Sequence, residues 1–405
     1  MQDSLGNPVT TDSGEALRLL DAAIDMHARA WPGALQTAEA ATREDPDLAI
    51  GHALQGLIHG IWGRREEANT AMARALAPPR SMSAREASLL ELLDHIVRGR
   101  GHAALAWMLL HLRRFPSDLL ALTPAVGAYG LFAFSGRADH NEQRLSLLDE
   151  LERHYPRDFP WLLANRGWTR IELGAAQEGL EMALRAIEMR PENAHNAHIV
   201  AHGFYEAGRL ADYLAFLAAW LPGYREDGLM WGHLQWHAAL AELGLGDEQA
   251  AMRRCLGPVL SYLPRGAPFM ALADGPSLLW RLGLKGLAGL PWTQVRQHAS
   301  VHFPDGSNAF GEIHLAMVAA AARDRPALDG SATRLEKLAA GGGHGARAAQ
   351  AWVAALHATI EDKAEDADRF FESCEHQAVR LGGSNAQRSI IAETRAACRL
   401  RTCRF

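Results

Sequence analysis

The 405-residue sequence predicts an all-α fold built from antiparallel helical hairpins. Apolar residues recur with a helical period along nearly the whole chain, and alternating β-branched runs typical of strands are missing. Glycine and proline residues interrupt the helical pattern at short intervals, as they do in turns between helices. A single hairpin cannot bury its apolar face alone, so stacking of successive hairpins is expected to form the core.

The first helices are defined by their start and stop signals. Thr11 to Gly14 offers a capping start, Asp45-Pro46 ends the second helix, and Pro78-Pro79 ends the fourth. Together these signals predict two consecutive hairpins. The expected helices are, in order, 15–29, 34–44, 47–61 and 66–77.

A repeat of 34 residues then becomes visible. Tyr213 follows Gly179 by 34 residues, which is the period of the tetratricopeptide repeat, a hairpin with small residues where its helices cross. The sequence therefore predicts a right-handed superhelix (α-solenoid) of about six or seven tetratricopeptide-like hairpins. The two clearest sets of equivalent positions are Gly56, Ala68, Met72 and Ala75, and Gly167, Gly179, Ala183, Ala186 and Pro191.

The second half continues the pattern and closes with a capped helix. Ser384 and Gln387 form a predicted capping box. Two stretches rich in proline and glycine, 264–276 and 291–308, are predicted as loops laid over the solenoid. The whole chain, 1–405, is predicted to be a single domain. The further helices are expected over 308–322, 327–339, 346–361, 364–380 and 384–402.

Composition excludes several classes of function. The net charge is −6 and no basic stripe is present, which argues against a nucleic-acid partner. No run of about 18 apolar residues is present, and the N-terminal residues do not resemble a signal peptide. The four cysteines show no CxxC spacing, which is typical of a reducing compartment. We therefore expect a cytoplasmic protein without membrane contact; the sequence leaves its oligomeric state open.

Four histidines form the most informative pattern. His198 and His202 lie in the stretch AHNAHIVAH, and His233 and His237 lie in WGHLQWH. Residues four apart share one face of a helix, with Cβ atoms about 6 Å apart. Two such pairs, on helices close in sequence, could direct four imidazoles at one point.

Several spaced motifs resemble one family. They occur in the same order as in the tetratricopeptide repeat protein 38 family and its bacterial members, which this chain resembles over nearly its whole length. The resemblance implies a helical superhelix and does not supply a biochemical role. The motifs are HIVAH at 198–202, HLQWH at 233–237, DGPSLLWRL at 274–282, NAFGEIHLAM at 308–317 and RLGGSNAQR at 380–388.

Three interpretations of the histidines are open. In the first they are hydrogen-bonded core or groove residues, because a neutral imidazole packs well. In the second they bind zinc, for which histidines four apart are good ligands. Ile199 stands where a zinc peptidase needs the glutamate of its HExxH motif, so that mechanism is excluded.

The third interpretation is metal-free acid–base chemistry or binding of a polar ligand. His202 or His237 would be the base, and Asp274 or Glu312 would orient it. Arg281 or Arg388 would hold an anion. The candidate catalytic residues are His198, His202, His237, Asp274 and His314. The candidate ligand-binding residues are His233, Trp236, Arg281, Glu312, Asn385, Arg388 and His52.

The sequence thus favours a histidine-rich concave pocket that binds a small polar molecule, with hydrolase-type catalysis as an extension. The alternative is a non-catalytic scaffold that holds a peptide or partner protein in its groove. No residue is assigned to a metal, and no cofactor is required, although zinc stays open. The long stretches at 264–276 and 291–308 are expected to cover the groove, which favours the pocket.

Overall fold

The structure is a computed structural model that describes residues 1–77 and 81–400. Within these residues the chain is almost entirely helical. An isolated antiparallel β-bridge joins Gln2 and Pro8, and the described residues form no β-strand. The predicted all-α fold class of tetratricopeptide-like hairpins is confirmed. None of the described helices is both long and apolar enough to cross a membrane. The predicted stop at Pro78-Pro79 and the predicted helix end at Thr402 lie outside the described residues.

The residues cluster into two compact units. Both units are discontinuous in sequence, and the prediction of one domain over 1–405 stays a prediction. Unit 1 comprises Met1–Phe132, Glu142–Val200 and Tyr224–Met230. Unit 2 comprises Ala133–Asn141, Ala201–Gly223 and the chain from Trp231 onward.

Unit 1 is a series of hairpins. Two helices, α8 (His140–Leu151) and α11 (Ala194–Glu206), contain a boundary between the units. The other helices of unit 1 are α1 (Gly14–Ala28), α2 (Ala34–Glu44), α3 (Ala49–Ile61), α4 (Arg65–Leu76), α5 (Ala84–Val97), α6 (Gly101–Arg114), α7 (Leu119–Val126), α9 (Pro160–Glu172) and α10 (Ala176–Met189).

Unit 2 continues with hairpins and ends in a long helix. A π-helical turn, Cys255–Val259, separates the helices Glu248–Arg254 and Leu260–Tyr262, and a 3₁₀ turn, Ala378–Leu381, precedes the last helix. The helices are α12 (Leu210–Trp220), α13 (Trp231–Gly244), α14 (Glu248–Arg254), α15 (Leu260–Tyr262), α16 (Pro268–Leu284), α17 (Trp292–His302), α18 (Ala309–Ala321), α19 (Arg325–Ala340), α20 (Ala346–Ile360), α21 (Ala364–His376) and α22 (Asn385–Arg399).

The hairpin of α9 and α10 shows why the repeat needs small residues. A Cβ atom on Gly167 would lie 2.8 Å from the carbonyl oxygen of Gly179, and one on Gly179 would overlap the carbonyl oxygen of Gly167. Because both obstacles are backbone atoms, they cannot turn away as a side chain would. The two helices therefore cross at a distance that only glycine allows at these two positions.

Two predicted loops are wrong. Helix α16 covers most of 264–276, and α17 covers most of 291–308. Pro268 lies in the first turn of α16, where the backbone nitrogen has no carbonyl partner in the helix. Pro276 lies inside α16, at the loss of one helical hydrogen bond. The proline and glycine content of these stretches thus marks helix starts and close packing.

The last helix begins as predicted. Ser384 Oγ accepts a hydrogen bond from the Gln387 backbone nitrogen at 3.2 Å, and Gln387 Oε1 accepts one from the Ser384 nitrogen at 3.0 Å. Gly382, with φ of 81°, supplies the left-handed conformation before this capping box. Helix α22 packs back against α16, where Trp280 Nε1 donates to Thr394 Oγ1 at 2.9 Å.

Candidate functional site

Two helices carry the four predicted histidines. His198 and His202 are one turn apart on α11, whose start is capped by the side chain of Asn193. His233 and His237 are one turn apart on α13. All four are buried, and each offers a ring nitrogen, the four nitrogens lying within 4.8 Å of one another. The pairs that the sequence placed on two helices therefore come together in one cluster, which we call the histidine cluster.

The rings of the histidine cluster pack edge to face. The ring centroids of His202 and His237 are 4.3 Å apart at an interplanar angle of 81°, and those of His233 and His237 are 4.7 Å apart at 79°. Trp236 stacks on His233 with centroids 5.3 Å apart, and its Nε1 donates to Ser277 Oγ at 3.0 Å. Trp236 thus packs against His233 inside a buried core.

Asp274 binds a different histidine from those expected. Its carboxylate oxygens lie 2.8 and 3.0 Å from Nδ1 of His233. The sequence-based prediction assigned Asp274 to His202 or His237. Because α16 places Asp274 beside α13, the carboxylate reaches the first histidine of HLQWH and fixes its ring.

Burial controls the charge of these groups. It lowers the pKa of His202 well below its ordinary value, and the charges of His233 and Arg388 lower it further. It also lowers the pKa of His237, together with His202, His233 and Arg281. Burial raises the pKa of Asp274, although His233 opposes that shift. His202 and His237 are therefore neutral imidazoles at neutral pH.

Little room is present beside Asp274. The cavity between His233, Asp274 and the ring of Tyr262 has a volume of about 10 Å³. A cavity of roughly this size holds one water molecule or ion. It does not hold the small polar substrate that the sequence suggested for this position.

The two arginines that were predicted to hold an anion, Arg281 and Arg388, bind groups of the protein itself. Arg281 donates from Nε to Glu393 at 2.9 Å and from Nη2 to the Ala386 carbonyl at 2.9 Å. Arg388 donates to the carbonyl oxygens of Gly382 and Gly383 and to the side chain of Asn385. These contacts hold α16 to α22 and tie down the turn before α22. They support structural roles for Arg281, Arg388 and Asn385.

Three further candidates lie outside the histidine cluster. Glu312 accepts two hydrogen bonds from Arg334, at 2.9 and 3.0 Å. Nδ1 of His314 lies 2.8 Å from the Phe310 carbonyl oxygen within α18. His52 belongs to α3 in unit 1, where its Nε2 lies 2.9 Å from the Pro46 carbonyl oxygen. The contacts of Glu312, His314 and His52 are those of buried structural residues.

A second site was not predicted. A cleft of about 460 Å³ lies on α19, α20 and α21, with an apolar floor and a rim that carries four carboxylates and one lysine. We call it the acidic cleft. Its sequence signal is the series Asp329, Ala332 and Glu336, whose spacing places all three on one face of α19. The lining residues are Asp329, Ala332, Glu336, Gln350, Val353, Ala354, His357, Ala358, Glu361, Lys363, Asp366 and Phe370.

These features define the class of the protein. Helical hairpins whose helices cross at small residues, with a 34-residue spacing from Gly179 to Tyr213, are typical of tetratricopeptide-type repeat proteins. No known protein family profile matches the chain.

Solved structures show similarity of low degree. A Rap protein complexed with Competence and Sporulation Factor aligns with a TM-score of 0.42 and 12% identity, over 87% of this chain and 98% of that chain. The tetratricopeptide domain of P58(IPK) aligns with a TM-score of 0.24 and 13% identity, over 96% and 100%. Naa15/Naa10 bound to HypK-THB aligns with a TM-score of 0.22 and 12% identity, over 89% of this chain and 58% of that chain.

Proposed function

We propose that this chain is a non-catalytic scaffold that holds a basic amphipathic helix of a partner protein in the acidic cleft. The observation that carries the proposal is the combination, in one open cleft, of an apolar floor and an acidic rim. Helical-repeat proteins use such surfaces to hold helices by side chains spaced three or four residues apart. The motifs shared with the tetratricopeptide repeat protein 38 family support a place among its relatives, and we expect a cytoplasmic location.

The floor of the cleft suits the apolar face of a helix. Val353 and Ala358 are buried, and Ala354 and Phe370 are half-buried between the helices that form the walls. The volume of about 460 Å³ accommodates a few side chains and is too small for a whole helix. A partner helix is therefore expected to lie across the opening and to insert its apolar anchors.

The rim selects for positive charge. It holds Asp329, Glu336, Glu361 and Asp366. Glu361 pairs with Lys363 at 2.8 Å and Asp366 with Arg369 at 2.7 Å, so Asp329 and Glu336 carry most of the negative charge of the rim. The rim ion pairs, such as Asp366 with Arg369 at 2.7 Å, are solvent-exposed, and exposed pairs of this kind contribute only about 0–1 kcal/mol. Lysines of a partner can replace them at low energetic cost.

A charge-reversal experiment tests the proposal. The probe is a fluorescently labelled helical peptide with leucines on one face and lysines on the other, and its affinity is measured by anisotropy. Replacing both Asp329→Lys and Glu336→Lys is expected to weaken binding about tenfold or more, because attraction at two positions becomes repulsion. Raising the salt concentration is expected to weaken wild-type binding.

Helix α10 offers a matched control. Glu181 and Glu188 are exposed, are also seven residues apart on one helix, and lie outside the acidic cleft. The double replacement Glu181→Lys and Glu188→Lys changes the net charge equally and is expected to retain nearly wild-type affinity. Equal losses in both double variants, or no binding by the wild-type chain, would refute the acidic cleft as the site.

A further inference from the structure

We propose that the histidine cluster is a metal site, in which His198, His202, His233 and His237 bind one divalent transition-metal ion of the Zn²⁺ class. The site is independent of the proposed scaffold function. Its first support is geometric: four buried ring nitrogens lie within 4.8 Å of one another. Zinc–nitrogen bonds of about 2.0–2.1 Å place the ligand atoms of a tetrahedral site about 3.3 Å apart. The nitrogens therefore need to move inward by about an ångström when the ion binds.

The backbone arrangement makes this a stable ligand set. Each helix contributes two histidines four residues apart, so both side chains of a pair lie on one face. Three of the ligands, His202, His233 and His237, belong to unit 2, and His198 precedes His202 by one turn of the uninterrupted helix α11. The site thus depends on the packing of two helices and not on a flexible loop.

Asp274 provides a second and independent observation. Metal-binding histidines commonly donate their other ring N–H to a carboxylate, which fixes the tautomer and the ring orientation. Asp274 accepts this bond from Nδ1 of His233, at 2.8 Å, and leaves Nε2 as the ligand atom. The carboxylate is itself buried and adds a negative charge near the bound cation.

The surrounding charges permit a cation. Arg281 and Arg388 face the histidine cluster, but Arg281 is paired with Glu393 at 2.9 Å, and Arg388 is surrounded by the carbonyls of Gly382 and Gly383. Both arginines thus have acceptors of their own, and the carboxylate of Asp274 lies against His233.

The arrangement indicates a structural site. Four protein ligands complete a tetrahedral coordination sphere and leave no position for a reacting water molecule. The cavity of about 10 Å³ beside His233 and Asp274 likewise has no room for a substrate. The bound ion would tie α11 to α13, and Asp274 would extend this connection to α16.

Spectroscopy with Co²⁺ tests the site in the full-length chain. Protein stripped with a chelator is titrated with Co²⁺ and then with Zn²⁺, because tetrahedral Co²⁺ has a diagnostic visible spectrum. We expect one Co²⁺ per chain, a tetrahedral spectrum and displacement by Zn²⁺. His202→Gln and His237→Gln are each expected to abolish this spectrum, and Zn²⁺ is expected to raise the Tm of the wild-type chain only.

Helix α17 supplies the matched control. His298 and His302 are also four residues apart, with ring centroids 4.6 Å apart, and His302 is exposed. His302→Gln is expected to leave the Co²⁺ spectrum unchanged. Asp274→Asn is expected to weaken metal affinity 10- to 100-fold while the helical circular dichroism of the metal-free protein is retained.

Three outcomes would overturn the proposal: no stoichiometric metal binding by the wild-type chain, an octahedral Co²⁺ spectrum, or a spectrum that survives both cluster variants. If the cluster variants do not fold, the wild-type spectrum and the affinity of Asp274→Asn decide the question. In that case an unchanged affinity in Asp274→Asn would contradict the orientation of His233 by Asp274, and the metal site with it.

Discussion

At the scale of single residues, Asp118 is a buried carboxylate held by two side chains of unit 1. Arg85 Nε donates to its Oδ2 at 2.6 Å, and His111 Nε2 lies 3.0 Å from the same oxygen. Burial alone would raise the pKa of Asp118, but the charge of Arg85 and the bonds from His111 and Arg85 outweigh it and lower the pKa to about 2. This carboxylate therefore links α5, α6 and the start of α7.

Removal of the negative charge of Asp118 is expected to lower the free energy of unfolding. Asp118→Asn leaves the buried Arg85 with Asp3, 3.5 Å away, as its remaining counter-ion. The expected loss of unfolding free energy is at or below the roughly 3–5 kcal/mol that is typical of a broken buried ion pair. Asp227→Asn, which breaks the exposed pair with Arg225, is the control and is expected to cost under about 1 kcal/mol. Urea denaturation at pH 7 measures both values, and equal costs would contradict this account of Asp118.

The pH dependence of the same residue has a defined sign. A carboxylate whose pKa is lowered on folding stabilises the protein above the unfolded pKa and loses that contribution as the pH falls. The pKa of Asp118 falls from 3.8 to about 2 on folding, which implies that the free energy of unfolding decreases by about 1 kcal/mol between pH 5 and pH 3. The Asp118→Asn variant is expected to lack this part of the wild-type pH dependence.

At the scale of elements, the crossing of α9 and α10 rests on two glycines. Gly179→Ala places a methyl group against the Gly167 carbonyl oxygen, so the helices must separate. We expect Gly179→Ala to lower the free energy of unfolding by about 1–3 kcal/mol, as extra atoms in a closely packed site commonly do. Gly60→Ala is the control: Gly60 is exposed in the last turn of α3 and has no atom within 4 Å of its added Cβ, so the change is expected to be neutral or stabilising.

Thermal or urea denaturation compares the two glycine variants. A similar effect of Gly179→Ala and Gly60→Ala would show that the α9–α10 contact is looser than the structure has it.

Helices were predictable where local signals agree with the tertiary structure. Helix α2 runs over 34–44 as predicted, because Asp45-Pro46 leaves the chain no way to continue. The capping box of α22 was likewise visible in four residues. The start of helix α16 was missed because Pro276 disfavours a helical conformation in its own segment. In the folded chain, burial of nearly the whole helix against its neighbours outweighs the one helical hydrogen bond that Pro276 removes.

At the scale of the whole molecule, buried neutral histidines make stability depend on pH. Burial lowers the pKa of His27, His195 and His314 to about 4, with a contribution from His195 at His27 and from Arg281 at His314. The Phe310 carbonyl opposes the shift at His314. A histidine whose pKa is lowered on folding stabilises the protein above its unfolded value, near 6.5, and this contribution is lost as the pH falls.

The metal-free chain is therefore expected to be acid-labile. Each of these three histidines is expected to lower the free energy of unfolding by about 2 kcal/mol between pH 7.5 and pH 5, because the unfolded chain takes up the proton at a higher pH than the folded chain. Urea unfolding at pH 7.5, 6 and 5 measures the loss. His314→Gln is expected to reduce the pH dependence by about 2 kcal/mol, and His102→Gln, on the exposed start of α6, is the control. An unchanged pH dependence in His314→Gln would contradict a buried neutral His314.

Long-range partners could not be predicted from the sequence. The i, i+4 spacing predicted the two histidine pairs, but their convergence depends on how α11 and α13 pack. The choice of Asp274 by His233 depends in turn on α16, which the sequence had partly assigned to a loop. Arg281 was expected to hold an anion because its carboxylate and carbonyl partners on α22 are distant in sequence. The carbonyl partners of Arg388, Gly382 and Gly383, are near in sequence, but the contact depends on the conformation of the turn before α22.

The acidic cleft was missed for the same reason. Its walls come from three helices, and each helix alone has only a modest acidic face. The charged run from Glu361 to Asp366 is typical of a turn and a solvent-exposed helix start, and α21 does begin there, at Ala364. Only the packing of α19 and α21 beside α20 turns these separate acidic faces into one rim.

Hydrogen–deuterium exchange tests the central claim, that the chain is a scaffold whose acidic cleft holds a basic amphipathic helix, most directly. Exchange is compared with and without the leucine–lysine peptide, for the wild-type chain and for the variant with Asp329→Lys and Glu336→Lys. We expect the peptide to slow exchange in α19, α20 and α21 of the wild-type chain and to leave the variant unchanged. Protection confined to unit 1, or equal protection in the variant, would contradict the claim.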